Sequence, residues 1–188
     1  MLNAWLEKQF VKMEKQTGES ADFARDLRHA SPGGFWRFIF FTPMANYRRA
    51  LPVEAYGVAK IAAAHSEDCG PCLQTTVNLA RADGVSDAII RAAVLGDAGA
   101  MDERTGTAFR FARAVCARDL EAEELRPKLI EWWGEAAVAE LALAICASRL
   151  FPTLKRGLGH GEACMRVTVG RETLAIGAPA RPNTHKVA

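Results

Sequence analysis

The stretch LPVEAYGVAKIAAAHSEDCGPC, residues 51–72, decides the fold of this chain. Its first part has the spacing of an amphipathic helix, since one stripe at helical intervals is formed by Glu54, Val58, Ile61 and His65. Pro52 suits the first turn of such a helix, where a backbone N–H would have no partner inside the helix. The pattern therefore predicts a helix that leads directly into a pair of cysteines.

Helical patterns continue on both sides of this stretch. Residues 1–15 mix apolar and charged side chains as an amphipathic helix does. The helix after the cysteines is predicted to stop at residues 82–84, and further helices are predicted to start at Ser86, Asp102 and Asp119. Convincing β alternation is limited to residues 166–169. The sequence thus predicts an all-α fold.

Residues 135–151 are apolar on nearly every side. Such a pattern is typical of a helix buried at the centre of a protein or at a subunit interface. Pro152 is predicted to end this helix, because proline lacks the N–H that would continue the hydrogen-bond ladder.

No composition shift or linker divides the chain. We expect an N-terminal helical extension over residues 1–50, which packs on a helical domain over residues 51–165. Residues 166–188 contain Pro179 and Pro182, and they are predicted to form a loose C-terminal tail.

The composition is that of a globular protein, with 49% hydrophobic and 24% charged residues in a chain of 188. The net charge of +2 is small and the signs alternate along the chain, so nucleic acid is not an expected partner. We expect no membrane span and no secretion signal, and therefore a cytoplasmic, reducing location.

Five cysteines are an odd number for a disulfide scaffold, and the predicted free thiols are Cys116, Cys146 and Cys164.

Association with further copies of the chain is also predicted. Residues 35–41 carry six large apolar side chains, and the helix around Leu143 is apolar as well. Together they exceed what one small core readily covers, so a homo-oligomer is expected. The alternative is that the N-terminal helices bury these side chains within one chain.

The pair Cys69 and Cys72 has the spacing of a redox-active motif. Two cysteines separated by two residues can close a disulfide when they lie in the first turn of a helix, and Pro71 fits that position. The N–H groups of the first turn stabilise thiolate and lower the pKa of a thiol from about 8.5. Such a thiolate attacks a peroxide or a disulfide, and the neighbouring thiol then closes the pair. The alternative is two small buried residues without a chemical role.

Cys-Gly-Pro-Cys is also the tetrapeptide of thioredoxins, in which it follows a strand of a βαβ unit. Here a helical stripe precedes the cysteines and no strand pattern follows them closely. The sequence therefore argues against a thioredoxin fold.

The order of these segments resembles the AhpD-like group of the carboxymuconolactone decarboxylase superfamily. The similarity covers roughly residues 51–158, and its segments are 51–54 with 58–64, 69–90, 107–113 and 139–142. The resemblance implies an all-α fold, self-association into dimers, trimers or hexamers, and peroxidase or disulfide-reducing chemistry at the cysteines. It also implies that Cys72 takes the peroxide oxygen as a sulfenic acid and that Cys69 then closes the disulfide. The alternative is the thioredoxin-like order, since position at the helix N-terminus alone favours Cys69 as the attacking thiolate.

The chain departs from the antioxidant members of this group at two positions. They have a histidine four residues after the second cysteine, where this chain has Thr76, and a glutamate twelve residues before the first, where it has Gly57. Their proton relay therefore cannot be carried over. Thr76 lies one turn beyond Cys72, so its hydroxyl is a candidate for orienting a water or for a hydrogen bond to the sulfur. The alternative is a threonine that only packs within the helix.

Three further residues near the pair are candidates for proton transfer. His65 is suited to general-base work, with a surface or core histidine as the alternative. Glu67 and Asp68 lie just ahead of the pair and are candidates for shuttling protons. The alternative is that these acids only stabilise the positive end of the helix dipole at the helix N-terminus.

A zinc site is an alternative for the same cysteines, because a Cys3His ligand set would be formed by Cys69, Cys72, His160 and Cys164. The long separation between its halves argues against it, and we expect neither a metal nor a cofactor.

The function expected from these features is a thiol-based oxidoreductase, a peroxidase or disulfide reductase of antioxidant type. Its partners would be a small peroxide or disulfide substrate and an unknown thiol reductant. Two alternatives stay open, namely a carboxymuconolactone-type lyase, which needs no paired thiol, and a non-catalytic, redox-responsive helical assembly.

Overall fold

The computed structural model describes residues 2–161 and 166–176 of the chain. These residues form eight α-helices, a two-stranded sheet and two short 3-10 turns, at Thr42–Asn46 and Ala98–Ala100. The helices are α1 (Leu2–Thr17), α2 (Asp22–Ala30), α3 (Pro32–Phe41), α4 (Val53–Ser66), α5 (Gly70–Ala82), α6 (Asp87–Leu95), α7 (Glu103–Ala117) and α8 (Glu121–Gly157). The all-α prediction is confirmed.

Helix boundaries follow the capping residues in the sequence. The Ser86 hydroxyl accepts a hydrogen bond from the N–H of Ile89 and starts α6, and Gly96 ends α6 in the left-handed conformation. Asp102 caps α7 by accepting from the N–H groups of Arg104 and Thr105. These local hydrogen bonds are why the starts predicted at Ser86 and Asp102 agree with the structure. The start predicted at Asp119 lies two residues early, since α8 begins at Glu121, whose N–H donates to the Asp119 carboxylate.

Helix α4 is the centre of the molecule. Every residue from Ala55 to Ala64 is buried, and α4 contacts α5, α6, α7 and α8. Its small side chains allow this close packing, since a Cβ on Gly57 would lie 3.0 Å from Cγ2 of Val85. The helix that leads to the cysteines is therefore the central one.

Helix α8 differs from its prediction in two ways. It continues through Pro152 to Gly157, so the expected stop at Pro152 is wrong. Pro152 is fully buried, and packing in the core outweighs the one backbone hydrogen bond that proline removes. Helix α8 is also buried on one face only, because Ala139, Ala142 and Cys146 are exposed while Ala137, Leu141 and Ala144 are buried. It is not a central helix, and its place at a subunit interface stays a prediction.

Among the described residues, α8 is the one helix long and apolar enough to cross a membrane by length and composition. Half of its most apolar window is buried inside the molecule, as in a core helix, so this is weak support for a membrane span. A bend at Gly134, with φ 80° and ψ 167°, divides the helix in two.

The N-terminal helices form a second apolar cluster, whose buried members are Leu6, Phe10, Ala21, Phe23, Ala24 and Phe35. It packs on the end of α8 through Phe151 and Leu154. Of the large side chains between residues 35 and 41, Phe40 remains largely exposed at 80%. Phe35 is buried, and the other four large side chains of the stretch are half-buried, so burial within one chain covers this stretch only in part.

The predicted loose tail is wrong for its first part. Strands β1 (Arg166–Val169) and β2 (Glu172–Ala175) pair in antiparallel fashion, with Val167 opposite Leu174. The hairpin packs on α5 and α6, and it buries Val167, Val169, Leu174 and Ile176 in the main core. The side-chain amide of Gln74 on α5 also pairs with the backbone of Thr168, at 3.0 and 2.8 Å. Residues 177–188 lie outside the described part of the chain.

Candidate active site

Cys69 and Cys72 are joined in a disulfide at the start of α5. Cys69 is the N-cap residue and Cys72 lies in the first turn, with Pro71 between them, as the spacing predicted. Both are buried, with 4% and 7% of their surfaces exposed. On reduction, the first-turn N–H groups would favour thiolate at this position.

The connection between α4 and α5 is very short. Asp68 has a positive φ of 50°, a left-handed conformation that aspartate adopts more readily than most residues. The N–H groups of Glu67 and Asp68 donate to the carbonyls of Ala64 and His65. This turn places the cysteines directly against the end of the central helix.

The Glu67 side chain anchors the same turn to α8. Its carboxylate accepts a hydrogen bond from Nε of Arg149 at 2.6 Å and one from the Thr153 hydroxyl at 3.4 Å. Arg156 donates to the Glu67 carbonyl and lies 3.8 Å from the carboxylate. Only 10% of the Glu67 side chain is exposed. In this structure Glu67 holds the turn in place, and no described contact directs its carboxylate towards the sulfurs.

A cavity of about 230 Å³ lies beside the disulfide. It is bounded by the N-terminal helices on one side and by α4, α5 and α8 on the other. Among the described residues, its wall includes Cys72 but not Cys69. Its apolar lining includes Met13, Phe23, Leu79, Ala147, Phe151 and Pro152. A small molecule can therefore approach Cys72 from this side.

Lys60 is the most buried of the three charged residues that line this cavity, and the other two are Glu19 and Lys155. It extends from the central helix and is 8% exposed. Its ammonium donates to the carbonyl of Ala45 at 3.1 Å and lies 4.9 Å from the centre of the Tyr56 ring. Burial lowers the pKa of Lys60, and the charge of Asp83 opposes this effect. The cavity thus holds a cation whose described contacts are neutral groups.

The hydroxyl of Ser148 on α8 is buried in the same wall and has no hydrogen-bond partner. The residue is 8% exposed. A buried hydroxyl without a partner costs roughly 1–3 kcal/mol. The lining residues of the cavity therefore include a serine whose hydroxyl is not used within the described part of the chain.

Thr76 also lines the cavity, one turn beyond Cys72. Its hydroxyl donates to the carbonyl of Cys72 at 2.9 Å. The hydroxyl proton is therefore used by the backbone and not by the sulfur, while the oxygen retains lone pairs that can accept from a water. Three roles were predicted for Thr76, and the geometry fits two of them, orientation of a water and packing within the helix, but not a hydrogen bond donated to the sulfur.

His65 lies half-buried in the last turn of α4. Neither His65 nor Glu67 is among the described residues that line the cavity. The structure thus brings Cys72 and Thr76 of the predicted site residues to the cavity and keeps the other three, Cys69, His65 and Glu67, off its wall.

The other predicted thiols are not part of this cavity. Cys146 is exposed on α8, and Cys116 is half-buried on α7. Burial raises the pKa of the Cys116 thiol, and a hydrogen bond with Ser66 opposes this effect. Cys164 lies outside the described residues.

The zinc alternative finds no support in the described residues. Cys69 and Cys72 are bonded to each other, and Nε2 of His160 lies 2.8 Å from the carboxylate of Asp26. In the part of the chain that is described, no three His, Cys, Asp or Glu side chains are grouped as metal ligands.

Two polar groups of the cavity, Lys60 and Ser148, were not predicted as site residues. Lys60 had a signal in the sequence, because it is the single charge within the apolar run from Ala55 to Ala64. A lone charge in such a run is buried when the helix is central, and buried charges are rarely without function. Ser148 had no such signal.

No family model matches the chain, and neither the curated proteins nor the solved structures give a match. The AhpD-like resemblance therefore depends on the sequence segments quoted above.

Proposed function

We propose that this protein is a thiol-based oxidoreductase, a peroxidase or disulfide reductase of AhpD-like type, in which Cys69 and Cys72 cycle between dithiol and disulfide. The observation that carries the proposal is the Cys69–Cys72 disulfide in the first turn of α5, with Cys72 in the wall of a cavity. A purely structural disulfide has no need of an adjacent cavity. The all-α fold around the pair agrees with the family that the sequence resembles.

The cavity favours Cys72 as the attacking sulfur. In the reduced protein, the Cys72 thiolate would attack the outer oxygen of a hydroperoxide, and the O–O bond would break. The products are the Cys72 sulfenic acid and, after one proton is taken up, an alcohol or water. The Cys69 thiol would then attack the sulfenic sulfur, forming the disulfide and releasing water. An external dithiol would restore both thiols by two exchange steps and would leave as its own disulfide.

Reduction of a disulfide substrate would use the same sulfurs. The Cys72 thiolate would displace one sulfur of the substrate, and Cys69 would then release the second as a thiol and close the pair. We expect the reductant to be a thiol partner in a cytoplasmic setting.

The test uses Cys69→Ser and Cys72→Ser, reduced and then treated with a small excess of hydroperoxide and a sulfenate-trapping reagent. We expect trapping at Cys72 in the Cys69→Ser protein and none at Cys69 in the Cys72→Ser protein. Cys146→Ser is the matched control, because Cys146 is exposed and lies off the cavity. It should keep the wild-type rate of disulfide formation.

The reverse trapping pattern would assign the attack to Cys69. No trapping in either variant, with dithiol cycling intact, would favour disulfide exchange or a redox-responsive assembly over a peroxidase. A pair that cannot be reduced and reoxidised in the folded protein would overturn the proposal.

A further inference from the structure

The cavity beside Cys72 has a chemical character that redox cycling does not require. Most of its wall surface is apolar, yet three charged residues line it, Glu19, Lys60 and Lys155, and of these Lys60 is the buried one. The described contacts of the Lys60 ammonium are one hydrogen bond to the Ala45 carbonyl and the face of the Tyr56 ring, and no carboxylate pairs with it. An ammonium has three N–H donors, so this one retains capacity for further acceptors.

Such an arrangement is costly in the absence of an anion. Removing an ammonium from water is offset well only by an opposite charge with good geometry. Lys60 instead keeps its place on the central helix with neutral neighbours. An anion that enters the cavity would supply the missing charge.

Ser148 gives a second and independent indication of a ligand. The residue lines the same cavity and is 8% exposed, and its buried hydroxyl has no hydrogen-bond partner in the described part of the chain. A carboxylate has two oxygens and accepts several hydrogen bonds, so it can take donors from both an ammonium and a hydroxyl.

The rest of the wall fixes the other end of the ligand. Phe23, Leu79, Phe151 and Pro152 line it, and they suit an aliphatic or aromatic tail. At roughly 30 Å³ for each group the size of a water or methylene, the volume of about 230 Å³ holds a ligand of modest length. Hexanoate is of this size.

We propose that the cavity binds a small amphipathic monocarboxylate, with the carboxylate against Lys60 and Ser148 and the apolar tail along α2, α5 and α8. The site is defined by its own charge and shape, and it does not depend on the redox proposal. Because Cys72 lines the same cavity, the bound molecule covers the sulfur from the side that is open to small molecules.

The experiment is a titration of the oxidised, full-length protein followed by NMR, with hexanoate, hexan-1-ol and hexylamine as probes. Hexanoate should bind, the neutral alcohol should bind at least tenfold more weakly, and the cationic amine should not bind. Lys60→Met should weaken hexanoate at least tenfold while leaving hexan-1-ol unchanged. Ser148→Ala should weaken hexanoate severalfold.

Two further variants separate binding from damage to the fold. Lys8→Met removes the same charge from an exposed position outside the cavity and should leave hexanoate binding unchanged. Thr75→Trp places a large side chain in the cavity wall and should remove binding of hexanoate and hexan-1-ol together. In the reduced protein, hexanoate should slow alkylation of Cys72 but not of Cys146.

No hexanoate binding to the wild type would overturn this proposal, and so would equal binding of hexylamine or an unchanged affinity in Lys60→Met. Because these titrations use the disulfide form and measure no turnover, their failure leaves the redox proposal untouched. Equally, a protein that fails to cycle with peroxide can still bind the carboxylate.

Discussion

Gly57 stands where the antioxidant members of the resembled family carry a glutamate, and the packing explains why this chain cannot. A Cβ at this position would lie 3.0 Å from Cγ2 of Val85 and 3.4 Å from Cβ of Ala80. The branched side chain of Val85 has little freedom to move away. The space that a side chain at position 57 would need is therefore occupied by Val85 and Ala80, which the sequence alone does not reveal.

This close approach predicts that Gly57→Ala destabilises the protein by about 1–3 kcal/mol, because overpacking a core forces neighbours out of place. Gly33→Ala is the control, since Gly33 is exposed on α3 and its Cβ would meet only the flexible end of Arg37. That change should be neutral or stabilising by up to about 1 kcal/mol. Urea denaturation of both variants measures the difference. Equal stabilities would show that α4 and Val85 do not pack closely.

Glu140 is a buried carboxylate at the junction between the N-terminal extension and the helical domain. It is 4% exposed and accepts hydrogen bonds from the backbone N–H groups of Arg49, Ala50 and Leu51, at 2.9 to 3.0 Å. Burial alone would raise the pKa of Glu140, but these hydrogen bonds outweigh it and hold the pKa below the usual 4.5. The Glu140 carboxylate thus holds residues 49–51, which lead into α4, against α8.

Glu140→Gln should lower the free energy of unfolding by about 1–3 kcal/mol at neutral pH, because an amide cannot accept all three N–H groups. A depressed folded-state pKa gives stability that is present above the unfolded value and is lost as the pH falls through the folded value. The difference between wild type and variant should therefore shrink below about pH 4.5, as followed by denaturation at a series of pH values.

The exposed Glu135→Gln on the same helix should leave stability unchanged at each pH. A constant gap between wild type and Glu140→Gln down to pH 3 would contradict a charged, hydrogen-bonded Glu140.

At the residue scale, the sequence predicted the cysteine pair and its position but not its polar surroundings. The spacing of Cys69, Pro71 and Cys72 is a local property, so it can be read directly. Lys60 and Ser148 line the same cavity only because α4 and α8 pack against each other. Their proximity depends on contacts between distant segments, which no local pattern contains.

At the scale of elements, a bend at Gly134 divides α8 into two helical segments. Its φ of 80° and ψ of 167° lie in a region that is essentially restricted to glycine, and nothing lies within 4 Å of its would-be Cβ. Any cost of Gly134→Ala therefore comes from the backbone and not from a clash.

Gly134→Ala should destabilise the protein by about 1–3 kcal/mol. Gly157→Ala serves as its pair, because Gly157 also has open space around it but has no positive φ. That variant should be neutral or slightly stabilising, and differential scanning calorimetry of both compares them directly. If Gly134→Ala melts with the wild type, α8 straightens at no cost and the bend is not needed for the fold.

Most elements were predictable because capping residues mark them, as Ser86 and Asp102 do. The two failures have a common cause. Pro152 lies within α8, and strand β2 pairs with β1 against α5, because buried contacts outweigh the local signals for a helix stop and a loose tail. Tertiary packing of this kind is not visible in a window of a few residues.

At the scale of the whole molecule, the cavity arises from the way two parts of the chain meet. The N-terminal helices supply Met13 and Phe23, and the helical domain supplies Cys72 and Lys60. The sequence predicted an extension that packs on a core, but it gave no indication that the two parts would share the wall of this cavity. The N-terminal extension therefore belongs to the candidate site, because its helices line the cavity and its last residues are hydrogen-bonded to Glu140.

Self-association stays a prediction, and the structure indicates which exposed apolar surfaces could form the interface. The N-terminal helices cover the aromatic stretch only in part, since Phe40 stays exposed. Two surfaces are therefore candidates, the one around Phe40 and the open apolar face of α8, which includes Ala139, Ala142 and Cys146. Small side chains on one helical face let a second helix approach closely.

We expect light scattering at micromolar concentration to give a mass above the 20.4 kDa of one chain. Ala142→Arg should shift the mass towards the monomer, because a charge at the centre of an apolar interface is desolvated without a partner. Ala4→Arg adds the same charge at an exposed position of α1 and should leave the mass unchanged. A wild-type mass of one chain across this range would contradict association. An oligomer that Ala142→Arg leaves intact would instead place the interface on another surface, such as the one around Phe40.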